Sequence, residues 1–226
     1  RGTDSDRDEK IVKDFCNKNN VPHHLYHVSE MDKKPENSIE LWARNIRYRF
    51  FREILEKEQL DCIATAHHLN DQLETFLINL SRGSGIRGLS GIPANNNQIL
   101  RPMLHFSKKE IYDFAERHHI QFGEDYTNSE NDFLRNKIRN DIVPKLLKTN
   151  NHFLENFEKS IRFLDEAKRF LEENSEKIFN EISVLENEKI ILDKKLLQKQ
   201  NKIVQFEILR KFGFDDEREI QKIFKA

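Results

Sequence analysis

A short apolar segment that ends in two histidines and continues into acidic residues, TAHHLNDQLET at 65–75, constrains the fold of this chain most strongly. Residues 61–66 are small or β-branched and lack polar alternation, which is typical of a strand buried on both faces. Asn70 or Asp71 can cap the helix that follows, and the carboxylates of Asp71 and Glu74 point from one face of its first turn. Ligands of open α/β sheets bind outside the carboxyl ends of strands, so this segment predicts an active site. The alternative is that the two carboxylates only stabilise the start of the helix electrostatically.

A glycine-rich segment, SRGSGIRGLSGIP at 81–93, follows the predicted helix and contains four of the seven glycines of the chain. Glycine lets a backbone approach a ligand closely, and arginine side chains suit phosphate. The segment is therefore a candidate phosphate-binding loop, although a glycine loop alone is weak evidence for one. The candidate residues are Arg82, Gly83, Ser84, Gly85 and Arg87.

Predicted strands alternate with predicted helices, which indicates an α/β fold with a parallel sheet. We interpret His23, His24 and His27 as polar positions of an edge strand rather than as a metal site. The predicted elements are helices at 7–19 (capped by Asp6), at 38–58 (with a capping box of Asn37 and Glu40) and from Ser107 (with a box completed by Glu110), and strands at 22–28 and 61–66.

Two pairs of arginines lie on predicted helices at spacings that place each pair on one face. Arg44 and Arg47 are three residues apart, and Arg135 and Arg139 are four apart. Guanidinium groups placed in this way can bind phosphate or carboxylate through paired hydrogen bonds. The alternative for both pairs is an exposed basic helix face.

The composition changes beyond residue 144. Residues 151–183 have apolar side chains three or four apart without proline or glycine, which predicts one long helix. A short extended segment and a helix at 194–212 complete a small helical domain, whose phenylalanine stripes we interpret as core. The predicted domains are therefore 1–146 and 147–226.

Composition also limits the class of protein. Charged residues make up 34% of the 226 residues, and the formal net charge is −1. No apolar run approaches the length that spans a membrane, so we expect a soluble protein with no membrane partner. Cys16 and Cys62 fit reduced core thiols, in a helix and a buried strand respectively, and these features together favour a cytoplasmic protein.

Six segments, in the same order along the chain, resemble the tRNA(Ile)-lysidine synthases of the N-type ATP pyrophosphatase superfamily. They are RGTDSDRDE at 1–9, ARNIRYRF at 43–50, TAHHLNDQLET at 65–75, RGSGIRGLSGIP at 82–93, RPML at 101–104 and TNSENDFLRNKIRNDIVPKL at 127–146. The resemblance implies a partial catalytic domain of the adenine nucleotide alpha hydrolase-like (Rossmann-like) fold at 1–146. It also implies that 147–226 form a helical C-terminal domain that helps to hold tRNA.

The resemblance implies a ligase that works in two steps. ATP first adenylates C2 of the wobble cytidine in an isoleucine tRNA with a CAU anticodon, and pyrophosphate leaves. The ε-amine of free L-lysine then displaces AMP, which changes the codon specificity from AUG to AUA. ATP and Mg²⁺ are the implied cofactors, and the resemblance leaves a homodimer open.

The same resemblance suggests roles for individual residues. The candidate catalytic residues are Asp71, Glu74 and His67, and the two carboxylates are also candidate Mg²⁺ ligands. The candidates for binding ATP, phosphate or lysine are Arg44, Arg47, Arg82, Gly83, Ser84, Gly85, Arg135 and Arg139. The candidate tRNA contacts are Arg101, Asn136 and Lys137. Which carboxylate acts as a base and which binds metal or lysine stays open.

One feature of the family is missing from this sequence, the pyrophosphate-binding loop SGGxDS. We expect that loop to lie upstream of Arg1 in a longer protein, and we expect residues 1–226 alone to be inactive. The helical pattern at 224–226 suggests in the same way that the C-terminal domain is incomplete.

Three other functions are weighed against this one. A tRNA thiolase of the same superfamily is disfavoured because the two cysteines form no CxxC pair. A non-catalytic RNA-binding module is favoured only if the chain is complete as given. A metal hydrolase that uses His67, His68 and Asp71 is disfavoured because no further ligands stand at suitable spacings.

Overall fold

The computed structural model describes residues 2–29, 32, 33, 35, 39–123, 134–214 and 217–225. The chain divides into two compact units, which are Arg1–Arg82 with Gly91–Glu158, and Gly83–Ser90 with Lys159–Ala226. The sequence placed a domain boundary between 146 and 147. The observed division falls later, inside a long helix, and assigns the middle of the glycine-rich segment to the second unit.

Helices account for most of the described residues. In chain order the helices are α1 (Gly2–Lys18), α2 (Ile39–Lys57), α3 (Leu69–Ser81), α4 (Ile86–Leu89), α5 (Lys108–Arg117), α6 (Leu134–Lys137), a π-helical turn (Ile138–Ile142), α7 (Val143–Leu147), α8 (Phe153–Ile182), α9 (Lys194–Gln198), α10 (Lys202–Arg210) and α11 (Glu217–Lys225). The strands are β1 (Ile63–Ala64), β2 (Asn95–Asn96), β3 (Ile99–Leu100), β4 (Ser183–Glu186) and β5 (Lys189–Leu192).

The sheet of the first unit has the order β1-β3-β2. β1 pairs in parallel with β3, with Ile63 opposite Ile99, while β2 runs antiparallel to β3. The parallel pairing brings the carboxyl ends of β1 and β3 to the same edge of the sheet. The residues that follow these two strands therefore lie near each other.

The strand expected at 61–66 is shorter and less buried than its sequence suggests. Only Ile63 and Ala64 form it, and both Cys62 and Ala64 are exposed. The exposure of Ala64 shows that the expected burial on both faces is wrong here. Within the described part of the chain, β1 also has a hydrogen-bonded neighbour along one edge only, so it is an edge strand. Cys62 is accordingly an exposed thiol rather than a core thiol.

The strand expected at 22–28 does not form. This segment is irregular and is attached to α2 through Asp32, whose carboxylate accepts hydrogen bonds from the Tyr26 hydroxyl (2.8 Å), the Ser29 backbone N–H (2.9 Å) and the Arg49 guanidinium (2.7 Å). The Trp42 indole also donates to the Asp32 carbonyl, at 2.8 Å. Side-chain hydrogen bonds thus hold the segment where a strand pairing was predicted.

Asp32→Asn should lower the thermal unfolding midpoint at neutral pH. The Ser29 N–H, followed by Arg49 and Tyr26, lowers the pKa of Asp32 from 3.8 to about 2. Because the folded-state pKa is depressed, the stabilisation is complete above the ordinary pKa of 3.8 and is lost as the pH falls through about 2. Thermal melts should therefore show a gap between the two proteins that closes on acidification, whereas exposed Asp14→Asn should produce no gap. Identical midpoints at neutral pH would contradict this role.

The helix boundaries agree with the sequence in part. α1 begins at Gly2, so Asp6 lies inside it and does not cap it. The predicted Asn37 cap of α2 lies outside the described residues. The capping box predicted at the start of α5 is confirmed. The Ser107 hydroxyl accepts from the Glu110 N–H (3.1 Å), and the Glu110 carboxylate accepts from the Ser107 N–H (2.7 Å).

The second unit packs helices and a β4–β5 hairpin around one apolar cluster. The cluster consists of Leu171, Ile182, Leu197, Val204, Ile208, Leu209 and Ile220. The long helix predicted at 151–183 is confirmed as α8, but the helix predicted at 194–212 is two helices, because the Asn201 side chain accepts from the Ile203 N–H and starts α10 anew. The interpretation of the phenylalanine stripe as core is confirmed for Phe157, which is 8% exposed, and is wrong for Phe170, which is 72% exposed.

None of the described helices is both long enough and apolar enough to cross a membrane.

Candidate active site

The site begins at the turn between β1 and α3, where two side chains cap the helix reciprocally. His68 is the N-cap, and its Nδ1 accepts a hydrogen bond from the Asp71 N–H at 3.3 Å. Asp71 Oδ2 in turn accepts from the His68 N–H at 3.0 Å. The sequence assigned the cap to Asn70 or Asp71, which is wrong by two or three residues. Asn70 instead accepts from the Lys108 N–H, at 2.8 Å.

A cavity of about 450 Å³ opens at the carboxyl end of β1. It is lined by Arg44, Arg47, Tyr48, Phe51, Ala64, Thr65, Ala66, His67, Asp71 and Arg135. Three guanidinium groups and one carboxylate thus share the cavity with two aromatic rings. Its excess of positive charge suits an anionic ligand, and its rings offer apolar walls for a planar group.

Arg44 and Arg47 both reach this cavity from α2, so the structure brings them together with His67 and Asp71. The Arg44 guanidinium carbon lies 4.7 Å from the centroid of the Tyr48 ring, and its Nη2 is 3.4 Å from the Tyr48 hydroxyl. The arginine therefore stacks on the ring as a cation–π pair. Phe51 also lines the cavity and was not among the predicted site residues. It lies four residues after Arg47, so the helical spacing that pairs Arg44 with Arg47 also places Phe51 on that face.

His67 is the half-buried imidazole of the cavity. Burial lowers the pKa of His67 below its usual 6.5; the positive charges of Arg101, Arg44 and Arg135 act in the same direction, and Asp71 opposes them. Thr65 Oγ1 lies 2.9 Å from His67 Nδ1. Thr65 was not among the predicted site residues, although it stands two positions before His67 in the same motif. The ring is consequently neutral at neutral pH.

Glu74 is held by two arginines from a distant part of the chain. Its side chain is 3% exposed. Oε2 accepts from Arg135 Nε and Arg139 Nη2, both at 2.9 Å, and Oε1 accepts from Arg139 Nε at 2.7 Å. Asp71 Oδ1 is farther from both guanidinium groups, at 3.5 and 3.6 Å. Arg135 and Arg139 therefore present one face to the two carboxylates of α3, as their spacing predicts.

The structure does not place the glycine-rich segment at this cavity. Gly83, Ser84 and Gly85 belong to the second unit and are not among the residues that line the cavity. In that unit, Arg87 pairs with Glu172 at 2.8 Å and with buried Glu207 at 2.7 Å, so its charge is used internally. Arg82 is exposed and does not line the cavity either.

The predicted tRNA contacts have different environments. Arg101 is 7% exposed and donates to the Pro93 carbonyl at 2.7 Å, so its side chain is buried and bonded to the segment that precedes β2. Asn136 is half-buried and Lys137 is exposed. The TNSEN part of the last motif lies outside the described residues.

Gln72, which the sequence reading left unassigned, joins α3 to the end of the glycine-rich segment. It is 7% exposed, donates to the Ile92 carbonyl at 2.9 Å and accepts from the Ile92 N–H at 2.6 Å. A buried amide that forms both of these bonds substitutes for a strand-like backbone pairing. Gln72 thus bonds α3 to residue 92.

Comparison with known proteins identifies the domain that carries this cavity. Residues 2–146 match the family model described as a PP-loop domain. The chain belongs to the PP-loop domain family. This membership confirms the predicted α/β fold class and supports ATP as the nucleotide that the PP-loop domain uses.

Several relatives of this PP-loop protein carry the name tRNA(Ile)-lysidine synthase, which confirms the resemblance seen in the motifs. The relative from Clostridium tetani is 41% identical over 147 residues, which is 64% of this chain and 32% of the relative. The relative from Caldanaerobacter subterraneus subsp. tengcongensis is 32% identical over 217 residues, covering 95% of this chain and 46% of the relative. The relative from Persephonella marina is 32% identical over 228 residues, covering 98% and 50%. The chain thus spans about a third to a half of the length of these relatives.

The two carboxylates of the PP-loop domain do not fit a shared Mg²⁺ site as they are arranged. Mg²⁺ needs oxygen ligands at about 2.1 Å in octahedral geometry. Both oxygens of Glu74 are already hydrogen-bonded to guanidinium groups, and Asp71 Oδ2 accepts from a backbone N–H. Among the described residues, no group of three or more histidine, cysteine, aspartate or glutamate side chains could hold a metal ion.

Proposed function

We propose that this protein acts as a tRNA(Ile)-lysidine synthase, an ATP-dependent carbon–nitrogen ligase that releases AMP and pyrophosphate. The observation that carries the proposal is the convergence of Arg44, Arg47 and Arg135 with Asp71 and His67 in one cavity at the end of β1. The names of the relatives support an isoleucine tRNA as substrate, and the PP-loop domain supports ATP. We propose free L-lysine as the third substrate and a CAU anticodon in the tRNA.

In the first step the O2 oxygen of the wobble cytidine attacks the α-phosphorus of ATP, a P–O bond forms, and pyrophosphate leaves. Negative charge grows on the transferring phosphate and on the leaving group. The guanidinium groups of Arg44, Arg47 and Arg135 are suited to stabilise this charge because they line the same cavity. Tyr48 and Phe51 offer the apolar side of the cavity to a nucleobase.

In the second step the ε-amine of lysine attacks C2 of the adenylated cytidine, a C–N bond forms, and AMP leaves. The ammonium group of lysine must lose a proton before attack, and a further proton leaves once the C–N bond has formed. Asp71 is the candidate to bind the ammonium group and direct it, since its Oδ1 faces only longer contacts at 3.5 and 3.6 Å. His67 is neutral and is the candidate base; Nε2 is its basic atom in the tautomer whose Nδ1–H donates to the Thr65 hydroxyl.

The remaining parts of the proposal concern partners and location. The tRNA substrate implies an intracellular protein, and we propose the cytoplasm. A homodimer stays a prediction, which light scattering of the purified protein would test directly.

The adenylation step gives a direct test of this function. The full-length protein should release pyrophosphate from ATP only when the isoleucine tRNA with a CAU anticodon is present. The same tRNA with uridine at the wobble position should give no release above background. Equal release with both tRNAs would contradict the proposal.

His67→Gln should reduce the rate of lysine transfer about a hundredfold, in the range expected for loss of a general base. In the unchanged protein, the rate should fall as the pH drops through the pKa of His67, which burial lowers below 6.5. The variant should lack that acidic limb in its pH profile. The control is His105→Gln, which alters an exposed histidine paired with Glu158. A variant profile that keeps the acidic limb would rule out His67 as the base.

A further inference from the structure

Glu74 has contacts that do not match a metal or ammonium ligand. A carboxylate offers about four acceptor positions in all. Three of these are taken by guanidinium donors at 2.7 to 2.9 Å, one from Arg135 and two from Arg139. Glu74 is also buried and does not line the cavity, whereas Asp71 does. The Glu74 carboxylate therefore interacts with the two arginines rather than with a ligand in the cavity.

Arg135 differs from Arg139 in reaching the cavity wall. It lies 61 residues after Glu74 in sequence, on the four-residue helix α6, so its own element gives little support to a long side chain. The bond from Nε to Glu74 fixes the plane of the guanidinium group, and one Nη atom then lies 3.5 Å from Asp71 Oδ1. The Nη groups are thereby kept on the side of the cavity.

We propose that Glu74 is a positioning residue that fixes Arg135 at the cavity wall, where the guanidinium group binds a phosphate group of the nucleotide substrate. Arg139 completes the clamp, because it bonds both oxygens of Glu74 and stops the carboxylate from turning. The identity of the anion as a nucleotide phosphate rests on the proposed function. The clamp itself rests on the contacts of Glu74 alone.

Tripolyphosphate binding to the full-length protein in the presence of EDTA tests this proposal by calorimetry. Glu74→Asp keeps the charge but shortens the side chain, so the carboxylate cannot reach both arginines. We expect this variant to bind tripolyphosphate about tenfold more weakly, the factor that corresponds to one weakened charge-assisted hydrogen bond. Arg135→Gln should show a similar or larger loss. The double variant should lose no more than Arg135→Gln alone, because Glu74 acts through Arg135.

The control is Glu155→Asp, which makes the same change at a side chain that is 68% exposed. Circular dichroism should show all variants folded, and if Glu74→Asp is not, Glu74→Gln takes its place in the same cycle. The proposal would be overturned if Glu74→Asp caused the same loss of affinity with and without Arg135, or if it left tripolyphosphate affinity unchanged. Mn²⁺ binding is measured separately without EDTA and tripolyphosphate, and weaker Mn²⁺ binding by Glu74→Asp would show a metal ligand and would also overturn it. Since the assay contains neither tRNA nor lysine, failure of the ligase reaction would leave this result standing.

Discussion

Replacing Asp71 with asparagine should reduce lysine incorporation about a thousandfold, at the upper end of the range for loss of one charged group that binds and orients a reacting group. The carboxylate is the only acidic side chain that lines the cavity among the described residues. Without it, the ammonium group of lysine would meet the guanidinium groups of Arg44, Arg47 and Arg135 with no opposing charge. Transfer of labelled lysine to tRNA measures the effect.

The fold should survive this change. The asparagine carbonyl can still accept from the His68 N–H, and His68 Nδ1 can still accept from the backbone N–H of residue 71. We therefore expect tRNA affinity and the thermal midpoint to stay close to those of the unchanged protein. Asp113→Asn, at a half-exposed carboxylate paired with Lys109, is the matched control and should keep full activity. A variant of Asp71 that fails to fold would show that the residue is mainly a helix cap.

Glu74→Ala should produce the largest loss of stability. Removal of this carboxylate leaves the Arg135 and Arg139 guanidinium groups facing each other without their shared partner. Loss of one partner of a fully buried ion pair costs about 3–5 kcal/mol. Since the two arginines are about one-third exposed, water offsets part of this, and we expect a decrease of about 2–3 kcal/mol in the free energy of unfolding.

Denaturant unfolding of both proteins measures this difference, and Glu155→Ala provides an exposed comparison. The midpoint should shift without a change in the slope of the unfolding curve. A loss below about 0.5 kcal/mol, the range of ordinary surface substitutions, would mean that the clamp contributes little to the fold.

The sequence predicted which side chains share a helix face or a strand end, but it did not predict which side chains from distant parts of the chain they contact. Helical spacing places Arg135 and Arg139 on one face, and the end of a strand places His67 beside Asp71. Periodicity carries no information about which distant side chain meets a given face. The pairing of both arginines with Glu74 therefore appears only in the structure. The sequence made Glu74 a candidate ligand for metal or lysine, whereas the structure shows its carboxylate bonded to two arginines.

Other differences have local physical causes. The cap of α3 was assigned to residues that are common caps, whereas the imidazole of His68 makes the same bond. Glycine content predicts a phosphate-binding loop at residues 82–85, but composition carries no information about which cavity a loop lines, and these residues do not line the one at β1. The nearby guanidinium group of Arg87 forms ion pairs with Glu172 and Glu207. Phe170 fits the apolar period of α8 and is nevertheless exposed, because periodicity does not show which face of a helix another element covers.

Incorporation of labelled lysine into tRNA tests the central claim most directly. The full-length protein is incubated with ATP, magnesium, labelled L-lysine and the isoleucine tRNA with a CAU anticodon, and label in the tRNA is counted. We predict that label enters this tRNA, that it depends on ATP, and that nuclease digestion recovers it in the wobble nucleotide. No label from a folded protein that binds this tRNA would contradict the account.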